Sequence, residues 1–264
     1  MPELPEVETI VRALAPRITG RKVLSAEFFA PRVMRGAPEP DLAGHTVQAV
    51  TRHGKHILLK FDHGTLAIHL GMTGKLLIDG DPTAYLRAEF VLSGCRLLFD
   101  DIRQFGRMAW SQTLPENVAR LGPDPLEITA QEFAARLQEK RGRIKSVLLN
   151  QAFVRGLGNI YVDEALHRAG IHPLAEGITK KRAQNLHKEI VEILEQAIAS
   201  GGSSISDYVD TEGRKGSFQD SHRVYGREGE PCRACGTEIQ RIVVTQRGTH
   251  FCPKCQREHF LIEG

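Results

Sequence analysis

The chain has 264 residues, of which 41% are hydrophobic and 25% charged, an ordinary globular composition that allows one large domain or two smaller ones. No apolar run approaches the roughly 18 residues that a membrane helix needs. The acidic start Met1-Pro2-Glu3 also lacks the apolar segment of a secretory signal. We therefore expect a soluble, monomeric, cytoplasmic protein without a membrane partner.

The net charge of +3 is confined to the end of the chain. Residues 213–264 hold nine Lys or Arg against six Asp or Glu, whereas the first 212 residues hold 26 of each sign. Four of the five cysteines lie in the same terminal stretch. A basic, cysteine-bearing segment is typical of a phosphate-facing module, and a merely solvated surface is the alternative.

In chain order, the first predicted element is an amphipathic helix. Val7, Ile10, Val11 and Leu14 recur at helical spacing, and Pro5 suits a first helical turn. This pattern does not account for Pro2-Glu3, which precede the helix.

From about residue 21 to 111 the pattern predicts short strands joined by close turns, with few helices. The apolar or alternating runs are residues 46–50, 56–61, 65–69, 89–92 and 95–99. They favour a β-sandwich on which the first helix packs. Cys95, alone in its strand, is expected to be a small buried residue.

Helices are predicted beyond a Pro- and Gly-rich linker at residues 114–125. Thr129 and Glu132 resemble a capping box before Phe133. Helical periodicity follows at residues 144–153, 160–169 and 180–200. The glycines of Arg155-Gly-Leu-Gly-Asn159 precede a helix N-terminus, where backbone amides are able to meet a phosphate, although this turn alone is weak evidence.

The C-terminal cysteines predict a metal site. Cys232 and Cys235 form one C-x2-C pair, Cys252 and Cys255 form another, and 16 residues separate the pairs. Two such pairs supply the four thiolates that one structural Zn²⁺ takes, with no open position for catalysis. The residues between them read as a hairpin, with strands at 238–244 and 249–251 and a turn at 245–248 that carries Arg247. The predicted fold class is thus α+β and multidomain: a sandwich at 1–112, a helical domain at 125–228 and a zinc finger at 229–264.

Five separated segments resemble one family. They read MPELPEVET at 1–9, HLGMTGKL at 69–76, DIRQFG at 101–106, GLGNIYVDEAL at 156–166, and YGREGEPCRACG with RGTHFCPKCQ within 225–256. This order resembles formamidopyrimidine-DNA glycosylase, the bacterial 8-oxoguanine glycosylase. The related endonuclease VIII branch, which favours oxidised pyrimidines, usually begins differently after the first Pro-Glu.

The resemblance implies a bifunctional DNA glycosylase and abasic-site lyase with Pro2 as its nucleophile. Removal of Met1 would free the secondary amine of Pro2, and α-amino groups titrate near 8. By the family's pattern, Glu3 protonates the sugar ring oxygen. Glu6 is expected either to support catalysis or only to cap the helix. Lys55 is expected to contact phosphate near the lesion and to aid elimination, or to be an exposed strand lysine.

The resemblance also implies contacts with damaged double-stranded DNA. Met72, Arg103 and Phe105 fall on the positions that refill the gap left by an extruded base, with a buried core as the alternative for the two apolar side chains. His69 is interpreted as a further DNA-binding residue, and Asn159, in a helix–two-turn–helix, is implied to contact the DNA backbone. Lys140 and Arg247 are each either phosphate contacts or solvated charges, and Arg247 matches the family's finger arginine.

Two segments depart from the pattern or vary within it. A histidine that touches phosphate in the family is replaced here by the Tyr85-Leu-Arg87 stretch, so we assign no such contact. The loop 211–219 falls where the family closes over the extruded base and does not predict lesion preference.

An enzyme of the pyrimidine branch, and a non-catalytic DNA-binding protein if Met1 is retained, stay open as alternatives. A zinc-dependent hydrolase is disfavoured because four cysteines would fill the metal.

Overall fold

A computed structural model describes residues 1–30, 32–34, 39–205 and 207–257. The chain folds into two compact units. The N-terminal unit comprises residues 1–120 and 197–219, and the zinc-binding unit comprises 121–196 and 220–264. The predicted domain bounds 1–112, 125–228 and 229–264 stay a prediction, and the last seven residues of the third domain, 258–264, lie outside the described residues.

The described residues of the N-terminal unit form one long helix and eight strands. Helix α1 spans Leu4–Ile18. The strands are β1 Val23–Phe28, β2 Ala49–His53, β3 His56–Lys60, β4 Thr65–His69, β5 Lys75–Ile78, β6 Leu86–Leu92, β7 Cys95–Asp100 and β8 Arg107–Ser111. They form two antiparallel sheets with the orders β1-β6-β7-β5 and β2-β3-β4-β8.

One hydrophobic core joins α1 to both sheets. It takes Val7, Ile10 and Leu14 from the helix, Ile57 from one sheet and Phe99 from the other, each at most 1% exposed. The predicted apolar face of α1 is thereby confirmed, and so is the burial of Cys95. The run at 46–50 begins too early as a strand, since β2 starts at Ala49.

The zinc-binding unit contains helices and a C-terminal hairpin. Its elements include α3 Ala130–Gln138, α4 Ile144–Leu149, α5 Asn159–Arg168, β9 Gln240–Val244 and β10 Arg247–Phe251. Helix α2, Glu116–Ala119, precedes this unit, while α6, Lys180–Ala199, and the short 3-10 helix Phe218–Ser221 each run across a boundary between the units. The predicted α+β, multidomain fold class is thereby confirmed. The chain has N-terminal sheets with a helix, then a helical region, and last a C-terminal hairpin with four cysteines.

Two local predictions in this unit need correction. The helix expected at 144–153 ends at Leu149, because Asn150 is extended and its side chain accepts a hydrogen bond from the amide of Ala152. The turn expected at 245–248 has only two residues, since Val244 pairs with Arg247. Thr245 and Gln246 take positive φ angles of 51° and 59°, as primed two-residue turns require. The capping box of Thr129 and Glu132 is confirmed.

Candidate active site and metal centre

The start of α1 buries the residues to which sequence analysis assigns the chemistry. Pro2 is buried, and Glu3 is 3% exposed, whereas Met1 is 43% exposed. The amide of Glu3 donates to a carboxylate oxygen of Glu6 at 2.8 Å, which fixes the backbone just before the helix begins. A buried carboxyl group beside the chain start is placed to exchange a proton in a water-poor environment.

Glu6 ties the helix to a distant segment of the same unit. Its second carboxylate oxygen accepts a hydrogen bond from the amide of Ser203 at 2.7 Å. Gly202 has a φ of +83°, and a Cβ at that position would come within 2.8 Å of the same oxygen. Both oxygens of Glu6 therefore bind backbone amides, a positioning arrangement that supports the capping interpretation of its sequence position. Tyr208 also donates to the Glu6 carbonyl at 3.4 Å, and burial raises the pKa of its hydroxyl.

Lys55 lies in the two-residue turn between β2 and β3, next to Gly54, whose φ is +62°. It is only 8% exposed, so the alternative of an exposed strand lysine is wrong. His56 and His69 face each other across β3 and β4 with ring centroids 5.0 Å apart.

The two histidines are held neutral at physiological pH. The pKa of each is lowered to about 4, mainly by burial, and the neighbouring charge of Lys55 contributes in the same direction. The charges of Arg107 and of the chain's N-terminal ammonium act on His69 in the same direction. The N-terminus, Lys55 and His69 thus share one electrostatic neighbourhood, which is cationic.

Met72, Arg103 and Phe105 lie on two loops and point outward. Met72 is 42% and Phe105 46% exposed, so the interpretation of these two as core residues is wrong. The guanidinium of Arg103 lies 4.8 Å from the ring centre of Phe105.

A buried carboxylate that sequence analysis missed joins these loops. Asp101 is 1% exposed and accepts hydrogen bonds from the hydroxyl of Thr73 and the amide of Gly106. The same hydroxyl accepts from the amide of Arg103 at 3.1 Å. The sequence signal that could have identified Asp101 was its position at the start of the DIRQFG segment. In the stretch 85–87, which departs from the family's pattern, the backbone carbonyl of the exposed Tyr85 accepts a hydrogen bond from the amide of Asp101 at 3.0 Å.

The loop 211–219 is packed within the N-terminal unit. The carbonyl of Thr211 accepts from the amide of Ile78 at 3.0 Å, and Thr211 is 2% exposed. The amide of Gly216 donates to the hydroxyl of Ser204 at 2.9 Å, and Phe218 is buried. Residues 212–215 and Ser217 are the exposed part of the loop.

In the zinc-binding unit, the predicted DNA contacts lie at a helix start and a hairpin turn. Asn159 begins α5, and its side-chain amide donates to the carbonyl of Gly248 at 2.8 Å. Arg247, immediately before that glycine, is exposed as the first residue of β10. Lys140 is exposed in the turn after α3. Asn159 and the hairpin are thus joined directly.

A buried ion pair also holds this hairpin and was missed by sequence analysis. Lys145 binds Asp163 at 2.5 Å with both side chains fully buried. Lys145 also donates to the hydroxyl of Thr249 at 2.8 Å, and Asp163 accepts from the amide of His250 at 2.9 Å. The sequence did carry a signal for this pair. Lys145 lies three residues from Leu148 on the apolar face of α4, and Asp163 lies three residues from Ile160 on the apolar face of α5, so each charge falls at a position expected to be buried.

The four cysteines form the predicted metal site. The sulfurs of Cys232 and Cys255 are 3.9 Å apart and those of Cys235 and Cys252 are 3.5 Å apart. Sulfurs bound tetrahedrally to one Zn²⁺ lie about 3.8 Å apart, given Zn–S bonds of about 2.3 Å. All four ligand atoms lie within 4.8 Å of one another. His167 places its Nε2 atom 3.5 Å from the sulfur of Cys232, an outer contact of the type that orients metal ligands.

Among the described residues, none of the helices combines the length and apolar character needed to cross a bilayer.

Comparisons with known proteins agree with this architecture along nearly the whole chain. Three family models match: the formamidopyrimidine-DNA glycosylase N-terminal domain at residues 1–108, the H2TH domain of the same glycosylase at 121–209, and a zinc finger found in FPG and IleRS at 229–257. A formamidopyrimidine-DNA glycosylase of Solibacter usitatus is 54% identical over 265 residues, which cover 97% of this chain and 100% of that protein.

Solved structures show the same likeness. The MutM (Fpg) protein of Thermus thermophilus is 40% identical with a TM-score of 0.90, covering 98% of this chain and 100% of that one. A Lactococcus lactis FPG variant in complex with Fapy-dG-containing DNA is 38% identical with a TM-score of 0.89, covering 97% and 100%. The chain belongs to the formamidopyrimidine-DNA glycosylase family.

Proposed function

We propose that this protein is a DNA glycosylase and abasic-site lyase that removes oxidised purines from double-stranded DNA in the cytoplasm, where the nucleoid holds its substrate. The observation that carries the proposal is the burial of Pro2 beside Glu3, directly before α1, in a member of this family. The Lactococcus relative binds Fapy-dG-containing DNA, which supports an oxidised purine as the substrate.

The proposed chemistry begins with the removal of Met1. The nitrogen of Pro2 is part of a peptide bond while Met1 is present. Once Met1 is removed, it becomes a secondary amine with a useful neutral fraction at physiological pH. Its attack on the sugar C1′ displaces the base, and opening of the sugar ring then yields an iminium ion. That cation acidifies the C2′ hydrogen, so loss of this proton expels the 3′ phosphate. A second elimination expels the 5′ phosphate, and hydrolysis of the iminium ion frees the enzyme.

Three other side chains are proposed to serve these steps. Glu3 donates a proton to the sugar ring oxygen, which opens the ring. Lys55, in the cationic neighbourhood of His69, contacts phosphate next to the lesion and aids elimination. Arg247 on the zinc hairpin grips phosphate and aids the second elimination. Glu6 positions the backbone before α1 through its hydrogen bonds and contacts no substrate.

Extrusion of the damaged base is assigned to the exposed loops of the N-terminal unit. Met72 and Phe105 are wedges that unstack bases, and the guanidinium of Arg103 donates hydrogen bonds to the base left without a partner. Thr73 and Asp101 hold these loops together. Their rigid spacing would limit the entropy lost when DNA binds.

Further contacts with the DNA backbone are proposed for His69, Lys140 and Asn159. Because phosphate contacts release counterions, the affinity for DNA should fall steeply as salt rises. The family's zinc hairpin, held by Asn159 and Lys145, would keep Arg247 at a fixed distance from α5. Zinc here has a structural role.

Strand cleavage of matched duplexes tests the proposal. Protein with a mature Pro2 start should cleave an 8-oxoguanine:cytosine duplex in preference to one with oxidised thymine, leaving phosphate at both ends of the gap. Glu3→Gln should slow base release by at least about 10²-fold, the usual effect of losing general acid–base catalysis. Preference for oxidised thymine would contradict the assigned lesion class, and an undiminished Glu3→Gln rate would contradict the role of Glu3.

A further inference from the structure

Three side chains of metal-binding type meet outside the proposed active site. His45 precedes β2, and Asp62 and His63 lie in the turn between β3 and β4. One ligand atom from each lies within 4.8 Å of the others. Apart from the cysteine centre, this is the one such group among the residues that the structure describes.

The donor atoms have the spacing of neighbouring positions around one metal ion. The Nδ1 atoms of His45 and His63 lie 3.0 Å and 2.9 Å from the same oxygen of Asp62. Two donors at right angles, each about 2.1 Å from an ion, lie about 3.0 Å apart, and tetrahedral donors lie about 3.4 Å apart. The two nitrogen–oxygen distances are close to the right-angle spacing, and Ni²⁺ and Cu²⁺ favour such coordination with nitrogen and oxygen ligands.

The surrounding backbone fixes these donors in place. The amide of Phe61 donates to the carbonyl of Gly64 at 2.8 Å and closes the turn that carries Asp62 and His63. The carbonyl of His45 accepts from the amide of Val23 at 2.8 Å.

Ring contacts restrain the two imidazoles. They stack at 3.7 Å with an angle of 30°, and the His63 ring also lies 4.9 Å from Trp110. The centroids of two imidazoles bound at right angles to one ion lie about 4.6 Å apart, so the rings would part by about 1 Å on binding.

We propose that His45, Asp62 and His63 form a second metal site for a divalent transition-metal ion of the Ni²⁺ type. Two imidazole nitrogens and one carboxylate oxygen are its protein ligands, and each of the two Nδ1 atoms gives up the proton it donates to Asp62, either to Nε2 of its own ring or, from a protonated ring, to solvent. The side chains are 34%, 57% and 36% exposed, which leaves room for water at the remaining positions. The bound ion pins the segment before β2 to the β3–β4 turn.

This site lies at the opposite end of β3 from Lys55. A five-residue strand spans about 17 Å, so the ion touches no residue of the proposed chemistry. Binding should therefore stabilise the N-terminal unit without changing DNA cleavage, since an ion that binds only the folded state raises its unfolding temperature.

The only tryptophan of the chain provides the readout. Titration of the zinc-loaded protein with Ni²⁺ should quench Trp110 fluorescence to saturation and raise the unfolding temperature, whereas Mg²⁺, a hard cation, should do neither. His45→Gln and Asp62→Asn should each weaken the apparent affinity at least about tenfold, since even outer-shell losses cost that much. His45→Gln is the sharper variant, because the described ring contacts to Trp110 come from Phe61 and His63.

His53→Gln, a half-buried histidine at the other end of β2, is the matched control and should leave the titration unchanged. Thermal unfolding without metal checks that each variant is folded. The proposal is overturned if quenching does not saturate, or if His45→Gln and Asp62→Asn bind Ni²⁺ as the parent does; Asp62 would then only accept two hydrogen bonds. DNA cleavage by His45→Gln is measured in parallel, so that failure of the metal site and failure of the glycosylase proposal are distinguished.

Discussion

The two compact units bury charged side chains in different ways. In the N-terminal unit, Glu3, Glu6 and Lys55 are at most 8% exposed, and Glu6 binds the backbone amides of Glu3 and Ser203. In the zinc-binding unit, Lys145 and Asp163 pair with each other and hold the hairpin. The first arrangement places titratable groups where chemistry is proposed, and the second fixes a distance between secondary-structure elements.

This contrast predicts separable consequences. Substitution of Glu3 or Pro2 should reduce the reaction with little loss of stability. Substitution of the buried pair, or removal of zinc, should first loosen the hairpin and weaken DNA binding. Glu6 lies between these classes, because its hydrogen bonds hold the very backbone that carries Pro2.

Zinc removal should have the largest structural effect. Structural Zn²⁺ contributes about 10–16 kcal/mol of apparent binding energy in isolated finger peptides, so chelation or Cys235→Ser should unfold the hairpin and weaken DNA binding. Metal content, thiol reactivity and a DNA-binding titration measure this. Cys95→Ala, a buried cysteine outside the metal site, should keep its zinc. Unchanged DNA affinity after verified zinc loss would contradict the role assigned to the hairpin.

Loss of the buried pair should come next. Lys145→Met leaves Asp163 buried without its cation and should cost about 3–5 kcal/mol. Lys188→Met, an exposed lysine of α6 that is 69% accessible, should stay within about 0.5 kcal/mol of the parent. Denaturant unfolding followed by circular dichroism, with hydrogen exchange of the β9 and β10 amides, measures both.

The double variant Lys145→Met with Asp163→Asn sharpens the result. It removes both charges while an amide oxygen still accepts from His250, so it should be more stable than Lys145→Met alone. Equal losses in the single and double variants would show that the ion pair is not the source of the stability.

Glu6→Gln should have a smaller effect. One of its two backbone hydrogen bonds would face an NH₂ group instead of an oxygen, which costs about 1–3 kcal/mol. Asp81→Asn, an exposed carboxylate of the same unit, should be neutral within about 0.5 kcal/mol. Thermal unfolding measures the loss. A fully stable Glu6→Gln protein would disprove the positioning role.

The smallest effect should be the change with pH in the free energy of unfolding that comes from His56 and His69. We expect about 1 kcal/mol, because both rings are only partly buried. His56 and His69 have a pKa near 4 in the folded protein, against 6.5 ordinarily. The unfolded chain therefore binds protons first as pH falls, and this contribution to stability is present above 6.5 and is lost between 6.5 and 4. NMR titration of the imidazole protons should show both rings neutral at pH 6; midpoints near 6.5 would show that burial does not lower the pKa of these two histidines.

Sequence patterns predicted the elements whose cause is local. The four cysteines, the capping box at Thr129 and the apolar face of α1 each lie within a short stretch or in paired spacings. The turn at 245–248 was predicted, but its two-residue length was not, because neither Thr245 nor Gln246 is Gly, Asn or Asp, the residues that usually adopt positive φ. Tertiary pairing of β9 with β10 imposes that conformation.

Contacts between distant residues were beyond the sequence. Glu6 binds Ser203 and Lys145 binds Thr249, and no periodicity specifies which buried charge meets which partner. The exposure of Met72 and Phe105 was likewise ambiguous, because an apolar residue in a loop motif reads equally well as core. The resemblance to a family, and not the pattern of apolar residues, favoured the surface position.

The central claim is that Pro2, once exposed as the chain's first residue, bonds covalently to a deoxyribose carbon. Borohydride reduction during reaction with 8-oxoguanine DNA, followed by peptide mapping, tests this directly. The account predicts one trapped complex, linked through Pro2, that forms with the Met1-free protein and is lost or greatly reduced in Pro2→Gly and in protein that retains Met1. Trapping at an internal lysine, or equal strand scission by protein that retains Met1, would contradict it.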